Sequence, residues 1–298
     1  MANKNLQNIA RISGVLVSKK VDTGLNRAGE FMSVELVVRA GKDEHTIRLY
    51  SNKLKQDGTE NKIYKGLKTI ADNYKTIEEV GEELAERVNI TGELAVNRYV
   101  GKDGQLKEYR QIRSNFCNRH DKGEFVAKSE FAVKGVVDTV MPKVDVNGET
   151  EGLEITLIIP NNRGEIDKVK FMVREEAFFG YIEDNFVRGE VVQLGGNILN
   201  RVDENAKAPV SNAGFGVMPQ SSSRRVNELL CLGGNALVGM NETSPYTEDE
   251  IKEALVKFNQ KLVELQSKPA PATTNTNTGF GVQNKTGFNN IDIKDMPF

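Results

Sequence analysis

A short internal repeat is the feature of this sequence that most constrains its fold. Residues 88–98 align with residues 191–201 at one constant offset, which superposes Gly92 on Gly195 and Asn97-Arg98 on Asn200-Arg201. Two shorter matches accompany it: Ile12-Ser13-Gly14-Val15 with Val133-Lys134-Gly135-Val136, and Ile47-Arg48-Leu49 with Val169-Lys170-Phe171. Two copies are too few for a solenoid, whereas each copy is long enough to fold as its own unit. We therefore predict a duplicated domain.

Each copy has the pattern of a small barrel. In the first, residues 31–39 alternate with a period of two, which indicates a half-buried strand, and residues 9–19 and 46–50 predict two more. Residues 64–87 change to helical spacing, with Gly81 and Lys75-Thr76 predicting two short helices. A strand pair around the turn Gly101-Lys102-Asp103-Gly104 follows. Three strands, a helical insert and two strands are the element order of an OB-fold, a five-stranded partly open barrel.

The predicted fold class is therefore all-β dominated: two tandem OB-folds with inserted helices, a C-terminal helix and a disordered tail. Thr247 and Glu250 form a capping-box pattern that starts the helix. Its apolar face predicts core packing, with an oligomer contact as the alternative. From Ser267 the chain is rich in Thr, Asn and Pro, and it cannot bury enough apolar surface to offset its backbone entropy. The predicted boundaries are 1–120 and 121–246 for the OB-folds, 247–266 for the helix, 267–290 for the linker and 291–298 for the tip.

The composition excludes several classes of protein. The sequence has no run of 18 apolar residues, so it predicts no membrane span. Its first residues lack the hydrophobic region of a secretory signal. Two cysteines, Cys117 and Cys231, exclude a disulfide scaffold and fit a reducing compartment. We therefore expect a cytoplasmic protein without a membrane partner.

The sequence contains no set of residues that predicts catalysis. Its two histidines are His45 and His120, and Cys117-Asn118-Arg119-His120 offers one ligand pair where a tetrahedral zinc site needs about four ligands. The glycine-rich stretch 233–239 lacks the Lys-Ser/Thr of a phosphate loop. We therefore expect no enzyme activity, no metal and no cofactor.

The charge is distributed unevenly along the chain. Residues 1–120 hold 21 Lys and Arg against 16 Asp and Glu, whereas residues 121–266 hold 16 against 24. A basic first third favours a polyanionic partner there, although ordinary variation along a chain is an equal alternative.

The outward positions of the predicted strands combine positive and aromatic side chains. Sequence-independent binding of single strands needs both, because cations follow the phosphates and rings stack on the bases. The first copy offers Phe31, Arg39, Arg48, Tyr50, Tyr99, Lys107, Tyr109 and Arg113. The second offers Lys170 and Arg174 but fewer rings, so we expect it to extend the site or to support oligomer contacts. Cross-strand tyrosine pairs also stabilise sheets, which is the packing alternative for these residues.

The C-terminal tip carries a resemblance to a known family. Ile291-Asp292-Ile293-Lys294-Asp295-Met296-Pro297-Phe298 resembles the end of bacterial single-stranded DNA-binding proteins, an Asp-rich stretch that closes with a hydrophobic residue, Pro and Phe. With tandem OB-folds before it, the chain resembles a phage-encoded protein of this type. The bacterial family has one OB-fold per chain and forms tetramers, and this chain lacks Trp. The resemblance implies that the tip recruits replication and repair enzymes through Asp292, Asp295, Met296, Pro297 and Phe298.

The resulting expectation is a single-stranded DNA-binding protein that coats and protects DNA during replication, recombination and repair. It would work in the cytoplasm, or in the host cytoplasm if a bacteriophage encodes it, and homo-oligomer formation stays open. One alternative is a structural or assembly protein that uses OB-folds as scaffolds without binding nucleic acid. The other is a single-stranded RNA binder, since no residue reports on a 2′-hydroxyl group.

Overall fold

The alternating pattern of residues 31–39 forms a strand whose apolar side faces a closed core. The computed structural model describes Lys4 and residues 6–101, 103–144, 148–161, 164–203, 224–237 and 243–267. Within these residues, Met32, Val34, Leu36 and Val38 are buried, while the side chains between them point away from the core. The predicted period of two is therefore confirmed for this strand.

Five strands of the first copy close into a barrel. They are β1 (Asn8–Asn26), β2 (Gly29–Ala40), β3 (Asp43–Asn52), β4 (Arg87–Val100) and β5 (Leu106–Ser114). Neighbouring strands follow the order β1-β2-β3-β5-β4 and return to β1, with β3 and β5 parallel and the other pairs antiparallel. Two short helices, α1 (Lys62–Asn73) and α2 (Ile77–Val80), join β3 to β4, as predicted. Helix α2 ends at Val80 because Gly81 takes a positive φ of 82°. Residues 81–86 are not helical, which shortens the predicted insert.

The second copy repeats this topology. After a two-residue strand, β6 (Asn118–Arg119), come β7 (Lys128–Val144), β8 (Thr150–Pro160), β9 (Ile166–Val173), β10 (Val191–Asp203) and β11 (Arg224–Ala236). Their order is β7-β8-β9-β11-β10 and back to β7. A 3₁₀ turn (Glu176–Phe178) and α3 (Phe179–Asn185) stand where α1 and α2 stand in the first barrel. The prediction of two tandem OB-folds is confirmed.

The strand register corrects the sequence alignment of the two copies. Both barrels have a bulge at the same place, between Leu16 and Ser18 in β1 and between Val137 and Thr139 in β7. Counted from these bulges, Ala10 and its counterpart Phe131 pair with Gly92 and Gly196 respectively, so Gly92 corresponds to Gly196 and not to Gly195. Adjacent glycines made the choice ambiguous in the sequence. Packing decides it, because a backbone carbonyl of the next strand passes close to Gly92 and to Gly196 but not to Gly195.

The same register also corrects the sequence match of residues 47–49 with residues 169–171. Val38 pairs with His45 in the first barrel, and its counterpart Leu157 pairs with Val169 in the second. The prediction that Ile47 corresponds to Val169 is therefore wrong, and Ile47 corresponds to Phe171. Consequently Arg48 corresponds to Met172, and Tyr50 corresponds to Arg174.

The two barrels are joined by their equivalent strands. β1 and β7 pair antiparallel from Asn8 opposite Val133 to Ser13 opposite Lys128. At the centre of this pairing Ala10 lies opposite Phe131, its own counterpart, so a local pseudo-twofold axis passes through the pair. In the described part of the chain, all strands therefore belong to one eleven-stranded sheet.

Side chains extend the junction between the barrels. Asp43 and Asp167 occupy equivalent positions at the starts of β3 and β9. Each forms an ion pair with an arginine of the other barrel. Arg98 Nη1 lies 3.0 Å from an oxygen of Asp167, and Arg201 Nη1 lies 3.5 Å from an oxygen of Asp43. His45 Nε2 lies 2.8 Å from Ser129 Oγ across the same junction.

The C-terminal helix is fixed to both barrels. α4 (Glu248–Gln266) begins after Thr247, whose side chain and that of Glu250 form the predicted capping box. Ile251 and Ala254 are buried against the second barrel, which confirms core packing for this side of the helix. The Phe258 ring lies 4.7 Å from the guanidinium of Arg98 and 5.7 Å from the ammonium of Lys168.

Within the described ranges, none of the helices has both the length and the hydrophobicity of a membrane-spanning segment. The predicted linker, apart from Ser267, and the predicted tip lie outside the described residues.

Candidate nucleic-acid interface

Two aromatic rings stand together on the outer side of β2 and β3. Phe31 and Tyr50 are stacked, with ring centroids 5.5 Å apart and ring planes at 30°. Tyr50 is 44% exposed, and its hydroxyl accepts a hydrogen bond from Asn26 (2.7 Å) and donates one to Asn52 (3.1 Å). These bonds hold the Tyr50 ring in one orientation, so the pair is a preformed surface on which a base can stack.

Two arginines lie side by side next to these rings. The parallel pairing of β3 with β5 places Arg48 directly opposite Arg113. Both are exposed, and neither forms an ion pair with a carboxylate of the described residues, although Arg48 Nε donates to Ser33 Oγ at 3.2 Å. Like charges directly opposite each other destabilise a sheet, although each arginine also lies opposite a glutamate, Glu35 for Arg48 and Glu93 for Arg113. A phosphate between the two guanidinium groups would remove that repulsion.

The hairpin of β4 and β5 carries a second aromatic pair. Tyr99 and Tyr109 meet edge to face, with centroids 6.1 Å apart, and are 47% and 44% exposed. The Tyr109 hydroxyl accepts a hydrogen bond of 2.6 Å from Asn97. Lys107 lies on the same strand and is ion-paired with Asp103 at 2.9 Å. Exposure of both rings argues against core packing as the reason for their presence.

Strand pairing places these side chains on the same outer side of adjacent strands, with Tyr109 about 13 Å along β5 from Arg113. We call this surface the first-barrel face; its members are Phe31, Arg48, Tyr50, Tyr99, Lys107, Tyr109 and Arg113. In an OB-fold the outer side of strands 2 and 3 and the loops between strands 1–2 and 4–5 bind oligonucleotides.

Arg39 is the first-barrel residue that the structure does not bring to this face. It lies eight residues along β2 from Phe31, a separation of about 26 Å in an extended strand. Its guanidinium is 2.9 Å from Glu82. Alternation along the strand gave the side on which Arg39 points but not its distance from the other residues.

The predicted residues of the second barrel are already paired with acids. Lys170 lies 2.8 Å from Glu154, and Arg174 lies 2.7 Å from Glu228. A groove of about 330 Å³ between the two barrels is lined by Lys170, Glu228 and Tyr109. Met172 stands where the first barrel has Arg48, and Arg174 stands where it has Tyr50, so this face lacks the arginine pair and the stacked rings.

A larger cleft borders the first-barrel face. It has a volume of about 930 Å³ and is lined by Arg48, Tyr50 and Arg113 on one side and by α4 on the other. The sequence did not predict that α4 lines this cleft. The helical pattern of α4 shows which side of the helix packs against the core, but not which residues face its other side. Arg98 and Phe258, which hold the helix there, were missed for the same reason.

The cysteines and histidines form no metal centre within the described residues. No three His, Cys, Asp or Glu side chains there are arranged to bind an ion. Cys117 and Cys231 are buried, and burial raises the pKa of each thiol to about 12. His120 lies 3.1 Å from Asn89 and 3.2 Å from the Gly123 carbonyl. The predicted partner-binding residues, Asp292, Asp295, Met296, Pro297 and Phe298, lie outside the described residues.

Comparison with known proteins agrees with the barrel topology. The family model YorF matches residues 7–268. The wild-type single-stranded DNA-binding protein from Thermus aquaticus superposes with a TM-score of 0.51 at 14% identity, covering 82% of this chain and 96% of its own. A deletion mutant of the same protein gives 0.51 at 13% identity, covering 82% and 98%. A search of curated protein sequences finds no match. At these identities the likeness establishes the fold.

Proposed function

The chain belongs to the YorF family, and we propose that it is a non-enzymatic single-stranded DNA-binding protein whose main site is the first-barrel face. The observation that carries this proposal is the arginine pair, Arg48 and Arg113, which forms no ion pair within the described residues and lies beside the stacked rings of Phe31 and Tyr50. Cations that bind phosphates and rings that stack on bases are the two requirements for holding single strands irrespective of sequence.

The proposed mechanism is sequestration. Bases that stack on Phe31–Tyr50 and on Tyr99–Tyr109 cannot pair with a complementary strand, and each stack contributes about 1–3 kcal/mol. Arg48, Arg113 and Lys107 displace counterions from the phosphates, so affinity falls steeply as salt rises.

The second barrel is proposed to extend this site more weakly. A phosphate there has to displace Glu154 from Lys170 or Glu228 from Arg174, and because these carboxylates are only 30% and 14% exposed, solvent screens their ion pairs less than those of exposed side chains. In this proposal residues 1–120 are the main DNA-binding domain and residues 121–246 the auxiliary one.

The remaining parts of the proposal concern the cell. The resemblance of residues 291–298 to the tip of bacterial single-stranded DNA-binding proteins supports recruitment of replication, recombination and repair enzymes. Phe298 and Pro297 would fill an apolar pocket on those enzymes, and Asp292 and Asp295 would add attraction. Residues 267–290 would serve as a linker, and the setting would be the cytoplasm of a cell or of a bacteriophage host.

Binding of labelled oligo-dT and of a duplex of the same length, measured by fluorescence anisotropy at 50 and 200 mM salt, tests the proposal. We expect tight, salt-sensitive binding of the single strand, quenching of tyrosine fluorescence and much weaker binding of the duplex. Absence of oligo-dT binding at the lower salt concentration would refute the proposal and favour a scaffold role. Competition with a matched RNA oligomer decides between DNA and RNA as the preferred ligand.

A further inference from the structure

The first-barrel face is not open to solvent on all sides. Arg48, Tyr50 and Arg113 line one wall of the cleft of about 930 Å³, and α4 lines the opposite wall. Asn161 and Glu165, which lie between β8 and β9, also line the cleft. A strand that binds Arg48 and Arg113 therefore lies within this cleft and close to the helix.

The helix wall carries two lysines among polar, acidic and apolar side chains, the last two kinds being Glu264 and Ala254, Phe258, Leu262 and Leu265. Lys257, Gln260 and Lys261 line the cleft, and the two lysines are one helical turn apart. That spacing places both ammonium groups along the same side of the helix.

α4 cannot easily move away from the cleft. Lys4 Nζ lies 2.6 Å from Glu250, and the backbone N–H of Lys4 donates to the Tyr246 hydroxyl at 2.8 Å. Ile251 and Ala254 are buried, and Phe258 lies beneath Arg98 of the first barrel. The helix is thus held at its start by the N-terminal segment and along its length by both barrels.

Both lysines are available to an anion at small cost. Lys257 is paired with Glu253 at 2.6 Å, and Lys261 is paired with Glu165. All four side chains are more than 40% exposed. Ion pairs between exposed side chains contribute little to stability, so a phosphate can replace either carboxylate.

We propose that α4 is the second wall of the DNA-binding site, and that a single strand passes between the first-barrel face and α4 with Lys257 and Lys261 on its phosphates. This inference rests on the proposed function. A two-walled cleft would also discriminate against duplex DNA. The bases of a duplex are paired in the interior of the double helix, so they cannot stack on Tyr50 inside the cleft.

The test compares Lys257→Gln/Lys261→Gln with the control Lys252→Gln in the full chain. Lys252 has the same kind of pairing on the same helix, 3.1 Å from Glu248, but does not line the cleft. We expect the double variant to bind oligo-dT about tenfold more weakly at 50 mM salt, since two phosphate contacts are lost. The slope of log K against log salt should become shallower by about 0.7 per lysine for a single-stranded ligand. The control should match the wild type, and all three should share one melting temperature.

The outcomes separate this inference from the proposed function. If the wild type binds oligo-dT and the double variant equals Lys252→Gln in affinity and salt slope, α4 is not part of the site. Tighter binding by the double variant also overturns the inference, because the helix would then oppose the strand. If the wild type itself does not bind oligo-dT, the proposed function fails first.

Discussion

At the scale of single residues, the arginine pair is the most direct test of the first-barrel face. Arg113→Gln removes one of two opposed like charges but also the cation opposite Glu93, so we expect the two effects to offset and stability to change little. Affinity for oligo-dT should fall, and the salt slope should become shallower by about 0.7, the contribution of one phosphate contact. Lys65→Gln, at an exposed ion pair on α1, is the control and should change neither quantity. A salt slope equal to that of the wild type would remove Arg113 from the site.

The exposed tyrosines give a second prediction at this scale. Tyr99→Ala/Tyr109→Ala should weaken binding by about 1–3 kcal/mol for each base that loses its stacking partner. Because both rings are nearly half exposed, the melting temperature should change little. Tyr64→Ala is the contrasting variant, since that ring is buried and its hydroxyl donates to Glu30 at 2.7 Å. A stability loss in the double variant as large as that of Tyr64→Ala would show that the pair serves packing instead.

His45 predicts a pH dependence of stability. The side chain is 2% exposed, and burial, with a smaller effect of Arg110, lowers its pKa to about 4 against the opposing influence of Asp43. Between pH 6.5 and 4 the unfolded chain therefore binds a proton that the folded chain does not. The free energy of unfolding should be highest above pH 6.5 and fall by about 3 kcal/mol toward pH 4.

Denaturant unfolding from pH 7 to 4 measures this effect, and His45→Gln isolates it from the carboxylates that titrate in the same range. The difference between the variant and the wild type should shrink or reverse as the pH falls. A difference independent of pH would show that His45 takes up a proton equally readily in the folded and the unfolded chain.

At the scale of strands and helices, close approach between strands fixes two glycines. A methyl group at Gly92 would meet the backbone carbonyl of Arg113, and one at Gly196 would meet that of Leu230. Gly92→Ala should therefore destabilise the fold by about 1–3 kcal/mol or more, the usual cost of overpacking. Gly66→Ala in α1 is the control, because nothing lies within 4 Å of the added methyl group. It should stabilise by about 0.5–1 kcal/mol, and thermal unfolding of both variants measures the difference.

The sequence predicted elements better than it predicted their arrangement. Alternation at residues 31–39 and the capping box at Thr247 are local signals, and both were confirmed. The Arg39–Glu82 and Lys170–Glu154 pairs bring together residues from separate elements, so no local pattern reports them. The cleft wall depends on contacts of α4 with Lys4, Arg98 and the second barrel, which arise only when the whole chain has folded.

At the scale of the whole molecule, the shared junction predicts joint unfolding of the barrels. β1 pairs with β2, β4 and β7, so loss of either barrel exposes a strand of the other. The Arg98–Asp167 and His45–Ser129 contacts break at the same time. We expect one calorimetric transition near neutral pH, with calorimetric and van't Hoff enthalpies in agreement. Two resolved transitions would contradict this expectation.

The pseudo-twofold axis through Ala10 and Phe131 has a consequence for the direction of a bound strand. DNA runs from a 5′ to a 3′ end, and a truly symmetric pair of faces would accept it equally well in either sense. Here Arg48 is matched by Met172 and Tyr50 by Arg174, so the two halves offer different chemistry along the path. For the proposed DNA-binding function we therefore expect a strand that spans both barrels to bind in one preferred polarity, set by divergence between the copies.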